Sequence, residues 1–584
     1  MASRVPRLRS LRRGLASTCY TGPRTRFFHV STRTSLPTHE RDIVIVGAGV
    51  VGLSMLAGLV AQSSSLPPMR ITMVDAMHVH RFGGWASMMQ ERTSPATDTH
   101  DGVPWENRVI SMNMDNLAWM QEIGAYDYFV ASRLRPVDRI RVWDGLTNAA
   151  AEFGSGAAQL SVMVEIANVQ QALYRYVQER LPQSHLDIEI LDQTKVTSIT
   201  AQGRDGWPHV TVQTPSDART LSTRLLVGAD GHNSPVRTFA GIESFGWSYQ
   251  SKGLVATMRT GLHARSAEPI VDTSAWQRFL PTGTLACLPL SPTSATVVWS
   301  LPVDLCDALI QFHRRAPSHE DGTSSTLAAL ISAGFRLPWP VLEALLYDVT
   351  PTTDPAAFEQ RIYDAVATYE QTQGAAALSS FAGDVPPWAE ALDTRSVASF
   401  PLQVKHAGCY LGSSLHSHTS PLPRASTILN GVLTTLGLTP GGAAQGMGQG
   451  RTVLVGDAAH STHPLAGQGL NMGVQDVRAL IAALRDACEH GMDIGTHQAL
   501  RAYEAARYLP NQAMLSVTDH LHWLFATRPA SSYTQQPGAL QSTLREAALQ
   551  SLVWARSTGL DLVNELGPLK RFFEAGAGSV RRRT

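Results

Sequence analysis

Cysteine is scarce: the 584 residues hold five, Cys19, Cys287, Cys306, Cys409 and Cys488. They stand far apart and form no CxxC pair, which argues against a disulfide framework and a structural metal site. Charge is sparse and balanced, with 48 Lys+Arg against 48 Asp+Glu and 16% charged residues in all. No global field therefore draws the chain to nucleic acid. A run of about 18 apolar residues is missing, so no membrane-spanning helix is expected and any membrane contact is peripheral. Acidic residues are absent before Glu40, while Arg4, Arg7, Arg9, Arg12, Arg13, Arg24, Arg26 and Arg33 lie among many Ser and Thr. Residues 1–40 read as a mitochondrial transit peptide, the alternative being a plain basic tail. Arg26-Phe27-Phe28-His29-Val30-Ser31 follows an Arg-x-Phe-x-x-Ser processing pattern and favours import. No Ser/His/Asp nucleophile turn is present.

What is present is a 43% hydrophobic chain long enough for two or three domains of core. Three glycine-rich turns punctuate it. Asp42 to Val46 is a short apolar strand, followed by Gly47-Ala48-Gly49-Val50-Val51-Gly52 and a helix. This is GxGxxG in strand–turn–helix context: Gly47 for the tight turn, Gly49 for close approach of a pyrophosphate, Gly52 for helix–strand packing. A second strand, Ile71 to Val74, ends in Asp75, where a ribose-binding carboxylate is expected. The second turn is Gly228-Ala229-Asp230-Gly231, at the end of the strand Leu225 to Val227. The third lies in 451–477: a strand Val453 to Val455 runs into Gly456-Asp457, and Gly467-Gln468-Gly469 opens an amphipathic helix. Such a helix start holds negative charge well.

Other stretches are less specific. Residues 78–104 read as a loop, 139–144 as a strand, and Val164 to Glu179 as a helix. Four strand-like stretches between 250 and 300 predict an antiparallel sheet, in which Trp276, Phe279 and Trp299 are either core or the lining of a substrate pocket. Arg108 enters an apolar stretch and is either a surface residue or held against a ligand. His460 and His463 have HxxH spacing but no acidic third ligand nearby, so no metal is expected. Near 520, Leu515, Leu521, Trp523, Leu524 and Phe525 form an apolar patch. Leu569-Lys570-Arg571-Phe572-Phe573 and Arg581-Arg582-Arg583 follow it, as core or as a membrane-surface or partner-binding face.

Taken together, GAGVVG with its distal acid, GADGHNSPVR and GDAAHSTHPLAGQGLN resemble the flavoprotein aromatic hydroxylases. Within that family NRVISMN, RVWD, AWQRFLPTG and VVWSLP are similar to the mitochondrial ubiquinone biosynthesis monooxygenases. The resemblance implies an α/β fold: a Rossmann-like FAD-binding domain of para-hydroxybenzoate hydroxylase type, a mixed or antiparallel-sheet substrate domain, and C-terminal helices. The expected divisions are a discontinuous FAD-binding domain over 41–125, 159–245 and 451–500, and a substrate domain over 126–158 and 246–412. An inserted loop over 413–450 and a helical region over 501–584 complete them. Gly47, Gly49 and Gly52 would hold the FAD pyrophosphate and Asp75 the adenosine ribose. Asp230 and Gly231 would support the phosphate region, and Gly456 and Asp457 the ribityl arm. Pro464, Gly467, Gln468, Gly469 and Asn471 would surround the ring, with Arg108 the charged side chain near it. Ile166 stands where family members often place a polar residue. The implied reaction is hydroxylation of a polyprenylated phenol at ring C5 through a flavin hydroperoxide, with O2 as oxidant. The resemblance further implies electrons from a ferredoxin and ferredoxin reductase, a ubiquinone biosynthetic complex, and peripheral attachment on the matrix side of the mitochondrial inner membrane. The rivals are a soluble NAD(P)H-dependent phenol hydroxylase of the same fold and a non-catalytic flavin-fold binding protein.

Overall fold

Short β-branched runs bounded by glycine build two large sheets, and the sites lie where those runs end. The computed structural model describes residues 38–92, 105–147, 149–154, 159–201, 206–260, 273–319, 322–381, 385–412, 450–463 and 467–525. The transit-peptide reading of 1–37, the insertion from 413 to 449, Pro464 and everything after Phe525 lie outside the described residues.

The first sheet has strands that run into the glycine turns. Its strands are β1 (Thr38–Val46), β2 (Arg70–Val74), β8 (Asp187–Leu191), β9 (Lys195–Ala201), β10 (Pro208–Gln213) and β11 (Ala218–Gly228), with β19 (Thr452–Leu454) added on β11. The order is β8-β2-β1-β11-β10-β9. β8, β2, β1, β11 and β19 run parallel, and β10 and β9 are antiparallel. Parallel strands buried on both faces read as unbroken apolar runs, as Ile43 to Val46 and Leu225 to Val227 do. Helices α1 (Val50–Ala61), α4 (Ile166–Arg180) and α10 (Gln468–Glu489) pack around this sheet in one continuous core.

The second sheet has ten strands. It is built on β12 (Ser244–Thr260), which pairs with β15 (Ser294–Pro302), β17 (Ala389–Asp393) and β18 (Ala398–Ala407) along its length. β13 (Ser274–Leu280) and β14 (Gly283–Pro289) continue it to β5 (Arg139–Asp144) and β6 (Ala150–Phe153), and β13 meets β5 in parallel. Helices α6 (Val303–Arg315), α7 (Thr326–Gly334), α8 (Trp339–Tyr347) and α9 (Pro355–Phe381) cover one face and form a second core with it. A small antiparallel sheet, β3 (Val109–Asn113), β7 (Ser161–Glu165) and β4 (Leu134–Val137), stands beside them. The last described helix, α11 (His497–Phe525), contacts α10 and β18.

Two readings of the sequence are corrected. Residues 79–92 form a short 3-10 turn and a helix, α2 (Trp85–Arg92), rather than a loop. Val164 and Glu165 close β7, so α4 starts at Ile166; Glu165 is spent on a buried ion pair with Arg133 instead of on a helix start.

The first glycine turn is set by backbone approach. A Cβ on Gly52 would lie 1.9 Å from the Gly47 carbonyl oxygen, and one on Gly47 2.3 Å from that of Ala229. Gly52→Ala should therefore strain the β1–α1 junction by about 1–3 kcal/mol. The measurement is thermal unfolding of the FAD-loaded chain; an unchanged midpoint would show that the junction yields freely.

Candidate functional site

The three glycine turns open onto one cavity of about 1510 Å³. Gly49, Ala229, Gly231, Asp457, Gly467, Gln468 and Gly469 line it. Gly49 and Gly231 have nothing within 4 Å of where a Cβ would point, unlike Gly47 and Gly52. These two glycines border open space, while the other pair is closed by protein. Two buried polar atoms at the wall have no partner among the described residues: the Gln170 carboxamide oxygen and the Ser461 hydroxyl. The donor set fits a dinucleotide, with small-residue turns, a carboxylate at Asp457, and a helix N-terminus at Gly467. Gly467 has φ +59°, which glycine adopts without strain. It leaves the first-turn N–H groups of α10 without intrahelical acceptors, at the positive end of a 22-residue helix.

The acids divide. Asp457 reaches the cavity; burial pushes its carboxyl up, and His460 and His232 pull against that shift. Asp75 does not line the cavity. Its oxygens accept from Ala48 N at 2.6 Å and Met77 N at 2.7 Å, which locks the first glycine turn. Asp230 likewise turns inward, accepting from Val236 N at 3.1 Å, and leaves Ala229 and Gly231 as the cavity wall. Asn471 is 1% exposed and its amide is fully used. Oδ1 accepts from Asn113 N and Asn116 Nδ2, and Nδ2 donates to the Ser111 and Gly467 carbonyls. Its side chain holds the Gly467 turn against β3 rather than reaching the cavity.

Gly456 is buried with φ +60°, and a Cβ there would lie 2.9 Å from Val51 Cγ2. Its N–H donates to Asp476 Oδ2 at 3.1 Å. Asp476, which the sequence reading missed, also accepts from His460 Nε2 at 2.6 Å, Arg507 Nε at 2.9 Å and Asn511 Nδ2 at 2.9 Å. His460 thus donates to a buried carboxylate. The only signal in the sequence was an acid on the apolar face of α10, beside Val474 and Val477.

Arg108 lines the cavity and is exposed, while the half-buried residues before it are pinned. Glu106 N donates to Glu165 Oε1 at 2.9 Å, Asn107 Nδ2 to the Ser396 carbonyl at 2.6 Å, and Ile166 N to the Arg108 carbonyl at 3.0 Å. Ile166 and, one turn on, Gln170 line the wall beside it. Of the three aromatic candidates, Phe279 faces the cavity and stacks on Phe525 at 3.9 Å. Trp276 touches the lining but packs its side chain into the helix-covered core with Trp299, and Trp299 lines no part of the cavity. Strand alternation decides this: Gln277 and Phe279 share one face of β13, Trp276 the other.

Two outcomes test this site. Gly49→Val places a branched side chain in the open cradle, so the chain should fold yet purify colourless, having lost most of its FAD; retained stoichiometric flavin absorbance would refute the cradle. The second concerns His406, His463 and His522, which burial drives down from 6.5 to about 3, about 3 and about 4. A depressed histidine is neutral when folded and protonates on unfolding. The stability it allows is full above pH 6.5 and falls towards pH 4, by about 1.4 kcal/mol per pH unit for each histidine. The thermal midpoint should drop from pH 7 to pH 5, and His522→Phe should flatten that slope in part, since burial lowers His313 as well; an identical slope in the variant would contradict the assignment.

Comparison with known proteins places this geometry. The FAD binding domain family matches residues 40–308 and 441–518. The mitochondrial ubiquinone biosynthesis monooxygenase COQ6 of Saccharomyces cerevisiae is 30% identical over 553 residues, covering 93% of this chain and 94% of that protein. Its counterpart in Schizosaccharomyces pombe is 30% identical over 491 residues, 83% and 85% of the two chains. The crystal structure of p-nitrophenol 4-monooxygenase PnpA from Pseudomonas putida superposes with a TM-score of 0.51 at 15% identity, covering 94% of this chain and 100% of that one. That likeness speaks for the fold alone. The chain is an FAD-dependent monooxygenase, and it belongs to the ubiquinone biosynthesis monooxygenase family within the flavoprotein aromatic hydroxylases.

Proposed function

We propose that this chain hydroxylates a polyprenylated phenolic precursor of ubiquinone at ring C5, working on the matrix face of the mitochondrial inner membrane. The observation that carries the reading is the composition of the large cavity that the glycine turns border. Its volume exceeds the roughly 300–1,000 Å³ of an ordinary small-molecule site. Beyond the glycine cradle the walls are apolar: Val137, Ile140, Val142, Leu288, Leu524 and Phe525 among them. A cofactor at the polar end leaves space for a ring and the start of an apolar tail.

FAD, once bound and reduced, supplies the oxygen-activating chemistry. The protein's part is to bind, orient and exclude water. Asp457 and the Gly49 and Gly231 turns would hold the phosphate-bearing arm. The N–H groups of Gly467, Gln468 and Gly469 would stabilise negative charge on the reduced ring. Pro464 is assigned a packing role beside the ring. Arg108 is the charged group free to approach it, and Gln170 and Ser461 are the polar side chains able to orient the phenol. Phe279, stacked on Phe525, would flank the phenol from the sheet side.

Peripheral membrane contact is supported by the cavity mouth. Phe400 and Val517 line the cavity and are nonetheless 38% and 36% exposed. On the same elements and their neighbours, Phe245, Trp247, Leu509 and Trp523 also stand in solvent. Among the described residues no helix is long and apolar enough to cross a membrane. Exposed apolar side chains at the mouth, Phe400 and Val517, would help a tailed substrate pass from lipid to cavity. Electrons would come from a ferredoxin with its reductase, and the enzyme would sit in a biosynthetic complex.

The test is feeding of ubiquinone-deficient cells that depend on this chain and carry an inactivated copy. A ring analogue already hydroxylated at C5 should alone restore ubiquinone. Restoration by an analogue hydroxylated elsewhere would move the site of attack, and restoration by none would remove the pathway. In vitro, product formation should require ferredoxin and its reductase; rapid NADPH oxidation with a short water-soluble phenol would instead identify a soluble phenol hydroxylase.

A further inference from the structure

Strands β5 and β13 present a second set of side chains on the face turned away from the flavin cavity. Ile140, Val142, Gln277 and Phe279 line the flavin side. Arg141, Trp143 and Arg278 alternate with them and line a separate cavity of about 250 Å³, closed by Arg336, Trp339 and Tyr369 from the helical layer. By the same measure one water needs about 10–15 Å³, and an ordinary small-molecule site offers roughly 300–1,000 Å³. The space therefore suits a compact organic molecule.

Two of its arginines, Arg278 and Arg336, carry charge with no ion-pair partner among the described residues, Arg336 lying 5.1 Å from the centre of the Trp388 ring. Arg278 is 2% exposed. It donates from Nη1 to the Gly334 carbonyl at 2.8 Å and from Nη2 to the Gly145 carbonyl at 3.3 Å, and its Nε–H has no partner. Arg336 donates to the Ser332 carbonyl at 2.9 Å and the Pro386 carbonyl at 2.7 Å. Among the described residues neither guanidinium forms an ion pair; Asp144 and Glu370 act on them only through longer-range attraction. The indole N–H of Trp339 is buried and also lacks a partner. Both orphan groups at this cavity are thus donors. Burying charge without a counter-charge, and N–H groups without acceptors, is costly, and one bound anion relieves both. Burial brings each arginine down to about 10, so both remain charged at neutral pH and attract one.

We propose that this cavity is an oxyanion-binding site, for a carboxylate or phosphate carried on a small flat apolar body. Arg278 and Arg336 supply charge-assisted hydrogen bonds. Trp339 donates a third, and the rings of Trp143, Phe335 and Tyr369 wall the body. The site is separate from the flavin cavity, because the sheet lies between them.

The experiment titrates benzoate and inorganic phosphate, in separate arms, into the full FAD-loaded chain by calorimetry, with the flavin absorbance followed in parallel. Saturable binding is expected for at least one probe with the flavin spectrum unchanged. Phosphate alone would identify the charge as the determinant, and tighter binding of benzoate would add the aromatic walls. Arg336→Gln should weaken that binding at least about tenfold, and Trp339→Phe several-fold, at unaltered flavin content. Trp339→Phe removes the indole N–H while keeping an aromatic ring at that position, and carries the test if Arg336→Gln does not fold. No saturable binding of either probe overturns the proposal. So does binding that shifts the flavin spectrum and survives both substitutions, which would belong to the flavin cavity.

Discussion

A single buried carboxylate holds the cofactor end of this molecule together. Asp476 lies on α10 with no exposed surface, where an ion is tolerated only if it is paired and hydrogen-bonded. Four donors meet it: the Gly456 N–H, His460, Arg507 and Asn511. Burial would raise its carboxyl, but His460 and Arg507 outweigh that and hold it below the usual carboxylate range. The turn that presents Asp457, the short strand at His460, and helices α10 and α11 are thereby fixed to one atom group. Removing one partner of such a pair costs about 3–5 kcal/mol, far more than a surface ion pair contributes.

That constraint gives α11 its place. Residues from His497 onward close the cavity through Pro510, Met514, Val517, Leu521 and Phe525 rather than decorating the surface. The cavity is polar where strands end and glycines stand back, and apolar where the face of the ten-stranded sheet meets α11. The same two strands that wall it, β5 and β13, also back the arginine-lined cavity on their other face. Strand alternation, with a period of two, keeps the two chemistries apart.

Much of the cofactor site was legible because it is local. Each glycine turn is short, and Gly47, Gly49 and Gly52 carry their roles in their spacing. The acids were legible as positions but not as orientations. Asp75, Asp230 and Asp457 all follow strands, yet only Asp457 lines the cavity; Asp75 accepts from the Ala48 and Met77 N–H groups and Asp230 from that of Val236. Asn471 belongs to the helix motif, but its amide is consumed by β3 and α3 (Met114–Glu122), partners more than 350 residues away in sequence. The helical layer over 303–381 carried no motif. The arginine cavity it helps to form could not be anticipated, since its walls come from Arg141, Arg278 and Arg336.

The sequence by itself determined the class of ligand and the chemistry: three glycine turns with acids at strand ends, in an order that matches one flavoprotein family. Those features depend on neighbours within about ten residues, so they survive without knowledge of the fold. Only the tertiary structure decided which way each side chain points. Phe279 enters the cavity and Trp299 does not, His460 donates to the buried Asp476, and α11 is a wall of the site. Those outcomes rest on sheet register and on contacts between distant segments, which local pattern does not encode.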